Sequence, residues 1–326
     1  MKRTALALAL MMGLIVITVI GCKKTDSGST STRPPSTPEN EFTLQTTLSQ
    51  NASDQTEIQS DEDLIIGDVQ KAIFAANNFN GAQSTSYDTK TLPNAVIDLR
   101  ASKTNKLITI GYVSDSAING VSKNGTITIQ LTKGANWNTA GATISESDSV
   151  KITYNGISRV HQSNRTITNI LGGKRDSVSK YSSYVYSVHS YGVVNFPDNT
   201  TCNYWITRKN TLSNSSSFAT LPVIFSSNGD TTINGDVCTM GGTSRTKTKF
   251  RVKDSQTYAT SLLCGYSRPF LGIRSFIAGD TVKITFGVDA SGNQSGSDTT
   301  ACGSIYGYKI EWTKLNGLSG SRVFSY

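Results

Sequence analysis

The chain has 326 residues, of which 37% are hydrophobic and 17% are charged, and its formal net charge is +8. This length and apolar content suffice for one large core or two moderate ones. Only two histidines are present, His161 and His189, so acid–base catalysis near neutral pH has few side chains available. The charge is uneven: residues 22–70 carry three basic and nine acidic residues, and residues 71–326 carry 26 basic and 14 acidic ones. An acidic segment therefore precedes a basic body.

The first 21 residues have the pattern of a secretory signal. Lys2 and Arg3 precede an apolar segment that ends at Ile20 and is too short to span a membrane comfortably. Its end, residues 19–22 (VIGC), resembles a bacterial lipobox, in which a small residue precedes the cysteine that receives lipid. The resemblance implies cleavage before Cys22 and lipidation of that thiol. An ordinary signal peptide with an incidental cysteine is the alternative.

Lipidation at Cys22 predicts that the protein is anchored in the outer membrane of the cell envelope. The anchor should be stable, because two or three acyl chains bind a membrane far more firmly than one. The membrane would be a partner, and this compartment argues against a nucleic acid partner. Residues 22–60 are rich in Ser, Thr and Pro and are predicted to form a flexible tether. Whether the body faces the periplasm or the cell surface stays open.

One helix is predicted over residues 61–80. Ser60 and Asp63 have the spacing of a capping box, and Asn77-Asn78 and Gly81 are typical helix breakers. The apolar residues between them recur at helical spacing and are expected to pack on the rest of the protein: Ile65, Val69, Ala72, Ile73 and Ala76.

The pattern changes to strict alternation after about residue 90, which predicts short β-strands with one buried face. The clearest alternating sets are 108–112, 127–131, 221–225, 282–288 and 306–312. Such strands, separated by Gly, Asn and Ser and without intervening helices, favour an all-β fold, an antiparallel β-sandwich. Residues 90–326 form either one body or two modules that divide near residue 200.

One predicted hairpin conflicts with this simple pattern. If Asn155-Gly156 is a two-residue turn, the apolar Val150 and Ile152 face the same side as Arg159 and His161. An apolar strand would then lie beside a partly charged one, and the sequence does not explain why.

Three segments carry a resemblance to a known family. They are residues 134–153, 164–173 and 284–317, and their specific positions are Gly134, Trp137, Ala140, Gly141 and Ala142, then Phe286, Gly287, Cys302 and Trp312. These segments resemble an uncharacterised β-rich lipoprotein family of the Bacteroidota. The resemblance covers most of residues 90–326 and implies an exported β-rich protein. It implies no catalytic residue.

Four cysteines follow Cys22, and export permits their oxidation. Four cysteines allow three pairings. The favoured prediction joins Cys264 to Cys302 and Cys202 to Cys238. The spacing contains no CxxC pair, and no metal site or cofactor is predicted.

Few side chains in the sequence form a recognisable catalytic arrangement. His161 and His189 lie in separate strand-like segments and outside any recognisable nucleophile motif. Glu146 and Asp148 would share one side of a strand and are the best pair of carboxylates for glycoside hydrolysis, although the flanking residues are typical of a polar turn. The sequence therefore predicts no catalytic residue, with an envelope polysaccharide hydrolase as an alternative.

A stripe of basic residues is the first of two sequence patterns that indicate a possible functional site. In residues 245–253 (RTKTKFRVK) every second residue is a cation, so a strand would present all five on one face while Phe250 and Val252 face the core. The five are Arg245, Lys247, Lys249, Arg251 and Lys253. They predict binding of a polyanion, such as an acidic glycan or lipopolysaccharide. A solvated, charge-protected edge strand is the alternative.

A repeated Asp-Ser/Thr motif followed by a small aliphatic residue or Thr is the second pattern. It resembles the O-glycosylation signal of exported Bacteroidota proteins, and it also suits a turn that enters a strand. The six candidate acceptors are Ser116, Ser149, Ser177, Thr231, Thr281 and Thr299. Together, these observations favour a lipid-anchored envelope protein that acts as a non-enzymatic binding or structural module.

Overall fold

The computed structural model describes residues 38–80, 87–113, 117, 120–154, 156–173, 183–214, 223–261, 269–294, 307–314, 317 and 319–325. The chain divides into residues 1–42 and 43–326. Only the start of a helix is described in the first part, so the following account concerns the second. The predicted signal and Cys22 lie outside the described residues.

A single long helix precedes the strands in the described part of the chain. It is α1 (Pro38–Ala75), and a short 3-10 turn (Asn77–Phe79) follows it. The predicted apolar stripe is confirmed, since all five of its residues are at most 1% exposed. The predicted breakers are confirmed as well: Asn77 and Asn78 adopt positive φ values of 47° and 57°, which end the helix before residue 80.

The predicted start of this helix is wrong. α1 begins at Pro38 rather than at residue 61, so residues 38–60 are helical and the tether prediction fails for them. Ser60 and Asp63 are not a capping box, because both lie inside the helix, where Asp63 accepts a hydrogen bond from Arg208 of the sheet. Residues 38–60 have little apolar periodicity, so the partners that their polar side chains meet in the sheet could not be foreseen.

The strands belong to one antiparallel sheet, which confirms the all-β, antiparallel class with one N-terminal helix. They are β1 (Tyr87–Asp88), β2 (Ala95–Asp98), β3 (Leu107–Tyr112), β4 (Val121–Lys133), β5 (Ala142–Tyr154), β6 (Ile157–Asn169), β7 (Tyr184–Asn195), β8 (Thr201–Asn214), β9 (Val223–Gly229), β10 (Thr231–Ile233), β11 (Asp236–Thr243), β12 (Lys249–Ser261), β13 (Pro269–Ala278), β14 (Asp280–Val288), β15 (Gly307–Thr313) and β16 (Ser319–Ser325).

Most strands pair with their neighbours in sequence. β7 and β8 pair without interruption from Tyr184–Leu212 to Asn195–Thr201, so the body does not divide near residue 200 and the two-module alternative is wrong. The order changes only after β8. β11 lies between β8 and β12 at one end of these strands, and β9 lies between them at the other. β9 and β11 therefore occupy the same position in the sheet, end to end.

The core consists of two apolar clusters that meet different parts of α1. Ile65, Val69 and Ile73 pack with strands β2 to β8, whereas Ile58 packs with apolar residues of β7, β8 and β11 to β15. The three acidic residues 61–63 lie between these two contacts along the helix. An ionic layer therefore separates two apolar ones.

The sheet surrounds much of the helix at the ionic layer. Successive residues of an α-helix point about 100° apart. Asp61, Glu62 and Asp63 nevertheless each contact an arginine of the sheet. The sheet thus contacts α1 over an arc of about 200°. A narrow stripe of the helix that includes Ser60, Lys71 and Phe74 stays exposed.

Candidate functional site: an ionic layer between helix and sheet

The β5–β6 hairpin builds the sheet side of the ionic layer. Tyr154 pairs with Ile157 around the predicted Asn155-Gly156 turn, and Gly156 has the positive φ of 83° that such a turn requires. Arg159 and His161 point inward beside the apolar residues of β5, as the hairpin prediction implied. The conflict disappears because their partners come from the helix.

Asp61 holds the first group of these contacts. Its carboxylate accepts hydrogen bonds from Arg159 Nε at 2.8 Å and Nη2 at 3.2 Å, and it lies 2.8 Å from His161 Nε2. Arg159 also donates to Glu57, one helical turn earlier, at 2.7 Å. Asp61 and His161 are fully buried. This group joins β6 to two turns of α1.

Glu62 holds the second group. It accepts two hydrogen bonds from Arg165 of β6, one of them from Nε at 2.7 Å, and a third from the Tyr204 hydroxyl of β8. Arg165 Nη1 donates in turn to Glu146 and Asp148 of β5. The side chains of Arg165, Glu62, Glu146 and Asp148 have no solvent exposure. One guanidinium therefore donates hydrogen bonds to three carboxyl groups inside the protein.

The environment separates the pKa values of two of these carboxyl groups. Burial alone would raise the pKa of Glu62, but the charge and hydrogen bonds of Arg165 outweigh it and lower that pKa to about 2. Burial raises the pKa of Glu146 to about 8, since the charge of Asp148 adds to it and the opposing effect of Arg165 is smaller. At neutral pH, Glu62 is ionised and Glu146 is protonated.

Contacts of the same kind continue along the helix in both directions. Toward its start, Asp54 accepts two hydrogen bonds of 2.7 Å from Arg245. Toward its end, Asp68 accepts hydrogen bonds from the Tyr112 hydroxyl at 2.6 Å and from Lys123. All six acidic residues of residues 50–75 contact a cation of the sheet region: Asp54, Glu57, Asp61, Glu62, Asp63 and Asp68. The acidic segment and basic body seen in the sequence are thus two sides of one interface.

The groups of this layer contact one another inside the protein. Glu146 and Asp148 do share one side of β5, as predicted, but they are only 1% and 9% exposed and both are bound by Arg165. His161 lies against Asp61 in the interior. His189 lies on the opposite, outer face, 3.4 Å from Asp230. The structure does not bring the two histidines and the carboxylate pair to one accessible place.

The predicted basic stripe is only partly formed. β12 begins at Lys249, so Arg245 and Lys247 lie in the preceding turn, where Lys247 has a φ of 62°. Phe250 and Val252 are buried as predicted. Arg245 departs most from the prediction, since it turns inward to Asp54. A single five-cation face is therefore wrong, because the strand does not extend back to residue 245.

The outward cations of β12 are also partly neutralised. Arg251 and Lys253 both contact Asp236 of β11, at 3.2 Å and 2.6 Å. Lys249 has no carboxylate within salt-bridge distance among the residues that the structure describes. The stripe is thus reduced to three positions on one strand, two of which share a counter-ion.

The Cys202–Cys238 disulfide prediction is wrong. Both thiols are free and buried. Thr243 pairs with Asn203 and Met240 with Ile206, so Cys202 and Cys238 lie near opposite ends of the paired stretch. About six residues of strand, roughly 20 Å, separate them, which is far beyond the Cα distance that a disulfide spans. Cys264 and Cys302 lie outside the described residues.

Three candidate glycosylation sites are described. Ser149 is exposed on β5, and Thr231 and Thr281 are partly exposed on β10 and β14. In two of these motifs the aspartate is buried, as Asp148 and Asp280. The hydroxyl groups therefore lie on the outer side of the sheet. Ser116, Ser177 and Thr299 lie outside the described residues.

Comparison of the chain with known protein families, characterised proteins and solved structures finds no match. The resemblance to a lipoprotein family therefore stays a prediction. Within the described ranges, no helix is long and apolar enough to cross a membrane, and no group of three or more His, Cys, Asp or Glu side chains is arranged to hold a metal ion.

The ionic layer could have been foreseen in part. Arg159, His161 and Arg165 are separated from the apolar Ile167 by even numbers of residues, so all four side chains share one face of β6. This pattern places charge on a buried face. The partner, three consecutive acidic residues in a helix, was visible as well. What was missing was a reason to bring the two segments together.

Proposed function

We propose that this is a lipid-anchored protein of the cell envelope whose body is a non-catalytic binding or structural module. The lipobox-like residues 19–22 support the anchor. The ionic layer supports the non-catalytic body, because its carboxylates and arginines hold α1 against the sheet. Charged groups committed to such contacts are poorly placed to act on a substrate.

The hydrolase alternative is disfavoured on accessibility. A glycosidase needs two carboxyl groups on either side of a bound glycosidic bond. Glu146 and Asp148, the best pair in the sequence, share one guanidinium beneath the helix. Turnover of purified envelope polysaccharide that is abolished by Glu146→Gln or Asp148→Asn, with the fold retained, would support this alternative over our proposal.

The polyanion alternative rests on Lys249, Arg251 and Lys253. Changing these three residues to Ser should reduce salt-sensitive binding to lipopolysaccharide or an acidic glycan if the alternative is right. A matched control changes three exposed cations elsewhere, Lys133, Lys151 and Lys209, to Ser. Arg245 is left unchanged, since its loss would break the contact with Asp54. Equal binding by both variants and the parent protein would remove this alternative.

The intact mass of the native protein tests the anchor directly. We expect a mature chain that begins at Cys22 and carries acyl groups, and we expect the Cys22→Ser variant to lose both lipid and membrane association. The same spectrum measures sugar added at candidate sites such as Ser149. An uncleaved chain without lipid would contradict the proposal.

A further inference from the structure

Two aromatic side chains lie side by side on the outer face of the sheet. Tyr191 of β7 and Trp205 of β8 are directly opposite each other. Directly opposite residues of antiparallel strands point to the same face, and their Cβ atoms lie about 5 Å apart. Tyr191 is 64% exposed and Trp205 is partly exposed. These two residues, here called the aromatic pair, are therefore accessible from solvent.

A glycine positions the indole ring of this pair. Gly241 of β11 lies directly opposite Trp205 on its other side. A Cβ atom at Gly241 would lie only 2.5 Å from Trp205 Cζ2 and 2.8 Å from Nε1, so the indole leans over β11 in space that another side chain would fill. An aromatic ring that covers a glycine also stabilises a strand. That role does not apply to Tyr191, because its neighbour on the other side is Asn164.

Exposed amide groups border the aromatic pair. Asn164 of β6 lies directly opposite Tyr191, and Gln162 and Asn203 lie in the next outward-facing row. All three are exposed. A side-chain amide both donates and accepts hydrogen bonds. The surface therefore combines apolar rings with neutral hydrogen-bonding groups at their edge.

The charged side chains near the aromatic pair contact one another. His189, on the same face of β7, is 3.4 Å from Asp230. Arg251, directly opposite Gly241 on β12, is 3.2 Å from Asp236. Both carboxylates thus lie beside a basic side chain of the protein itself. This arrangement favours an uncharged partner, since a charged one would have to compete with these contacts.

The features of this surface suit a pyranose sugar. One face of a pyranose ring carries C–H groups that stack on an electron-rich aromatic face, and the hydroxyl groups at its rim exchange hydrogen bonds with amides. A stable protein interface buries about 800 Å² on each partner. Two aromatic side chains supply at most about 500 Å². The apolar part of this surface is therefore small for a protein partner and adequate for one or two sugar rings.

We propose that the aromatic pair, with the amides of Asn164 and Asn203, binds an uncharged glycan whose sugar rings stack on Tyr191 and Trp205. The inference deepens the proposed function and rests on it, since it names the ligand class of a binding module. It differs from the polyanion alternative, which depends on the cations of β12. The distance between the two Cβ atoms, about 5 Å, is comparable to the length of one sugar unit, so neighbouring units would contact the two rings.

The test is a binding measurement on the mature, full-length protein by calorimetry and ligand-observed NMR. The neutral probes are cellohexaose, maltohexaose and mannohexaose, and the comparison probes are glucose and a galacturonate hexasaccharide. We expect at least one neutral hexasaccharide to bind at least about tenfold more tightly than glucose, because only the oligosaccharide can contact both rings. Absence of binding by all three neutral hexasaccharides at about 10 mM, or tighter binding of the galacturonate probe, would overturn the assignment.

Tyr191→Ala separates a ligand site from a merely exposed ring. Because Tyr191 is 64% exposed, its loss should leave thermal stability nearly unchanged while binding of the neutral hexasaccharide falls at least about tenfold. Unchanged binding in Tyr191→Ala would overturn the inference. Trp205→Ala should also lose binding, and Tyr191→Ala decides if that variant does not fold.

The matched control for this variant is Tyr87→Ala. Tyr87 is 52% exposed, but the Arg100 guanidinium covers its ring at 4.6 Å from the centre. Its loss should therefore leave glycan binding unchanged. An equal loss of binding in both tyrosine variants would show that the aromatic pair is not the site.

A second copy of the chain is the competing occupant of this surface. Sedimentation of the parent protein and of Tyr191→Ala at about 100 μM measures self-association. Association that Tyr191→Ala abolishes, without binding of any neutral probe, would assign the aromatic pair to a protein contact and overturn the glycan site.

These outcomes are distinct from those that test the proposed function. Absence of glycan binding by a protein that is lipidated at Cys22 would remove the glycan site and leave the anchored module. Cleavage of a bound hexasaccharide that Tyr191→Ala weakens would support the site and contradict the non-catalytic role.

Discussion

Arg165 of β6 and Glu62 of α1 are separated by 103 residues in the chain, yet they form a two-point ion pair without solvent exposure of either side chain. The pair lies between the two apolar clusters of the core. It is the centre of the contacts that join the acidic helix to the basic sheet.

Arg165→Met should be among the most destabilising single substitutions in the protein. It leaves the carboxyl groups of Glu62, Glu146 and Asp148 buried without their common cation, and breaking a buried pair in this way typically costs about 3–5 kcal/mol. Chemical denaturation measures the change in the free energy of unfolding.

The matched control for that substitution is Arg100→Met. Arg100 contacts Asp98 at 2.7 Å, but its side chain is 58% exposed, so its loss should lower the free energy of unfolding far less than Arg165→Met does. Equal effects of the two substitutions would show that the buried layer does not hold the helix in place.

Stability should fall as the pH rises from about 5 to 8. The folded protein keeps a proton on Glu146, whose pKa of about 8 lies above the ordinary value of 4.5, while the unfolded chain has released that proton. Between these values the folded state binds more protons, so raising the pH favours unfolding by up to about 1.4 kcal/mol per pH unit. Denaturation midpoints across this range measure the slope.

Glu146→Gln should remove most of that slope, because a neutral amide does not titrate. Glu311→Gln, at a partly exposed ion pair with Lys283 and Lys309, is the control and should keep that slope. The ionisation of Glu62 has the opposite effect at lower pH. Its pKa of about 2 in the folded protein lies below the ordinary value of 4.5, so stability rises from about pH 2 to 4.5. A parent protein with a flat profile from pH 5 to 8 would contradict the protonated state of Glu146.

Cys202 and Cys238 should resist alkylation in the folded protein and react after unfolding without any reductant. Burial raises the pKa of both thiols, that of Cys202 to about 12, so little reactive thiolate exists at neutral pH. Peptide mapping after labelling in native and denaturing buffer measures this. Recovery of a peptide that links Cys202 to Cys238 would contradict the structure.

Gly241→Val should destabilise the sheet by about 1–3 kcal/mol through a steric clash. A Cβ atom at Gly241 would lie 2.5 Å from the indole of Trp205 on the neighbouring strand, so that ring must move. Gly111→Val is the control, since a Cβ atom at Gly111 has no atom within 4 Å. The difference in unfolding free energy between the two variants is the measurement, and its absence would show that the Trp205 ring is free to move.

The sequence was informative wherever a local rule decided the structure. Alternation of apolar residues placed Ile108, Ile127 and Ile284 on buried faces, and the Asn155-Gly156 turn set the β5–β6 register. Helical spacing identified the buried stripe from Ile65 to Ala76. Period and turn chemistry act between near neighbours, so these features could be predicted without the fold.

Tertiary structure alone decided the rest. Residues 38–60 are helical although few of them are apolar, and Asp54 and Asp61 gain their partners from residues about 100 to 190 positions away. The charge asymmetry between residues 22–70 and 71–326 was visible in the sequence as an acidic segment before a basic body. Composition cannot show which cation meets which carboxylate, because a buried ion pair forms only where the fold removes both groups from water and sets their geometry.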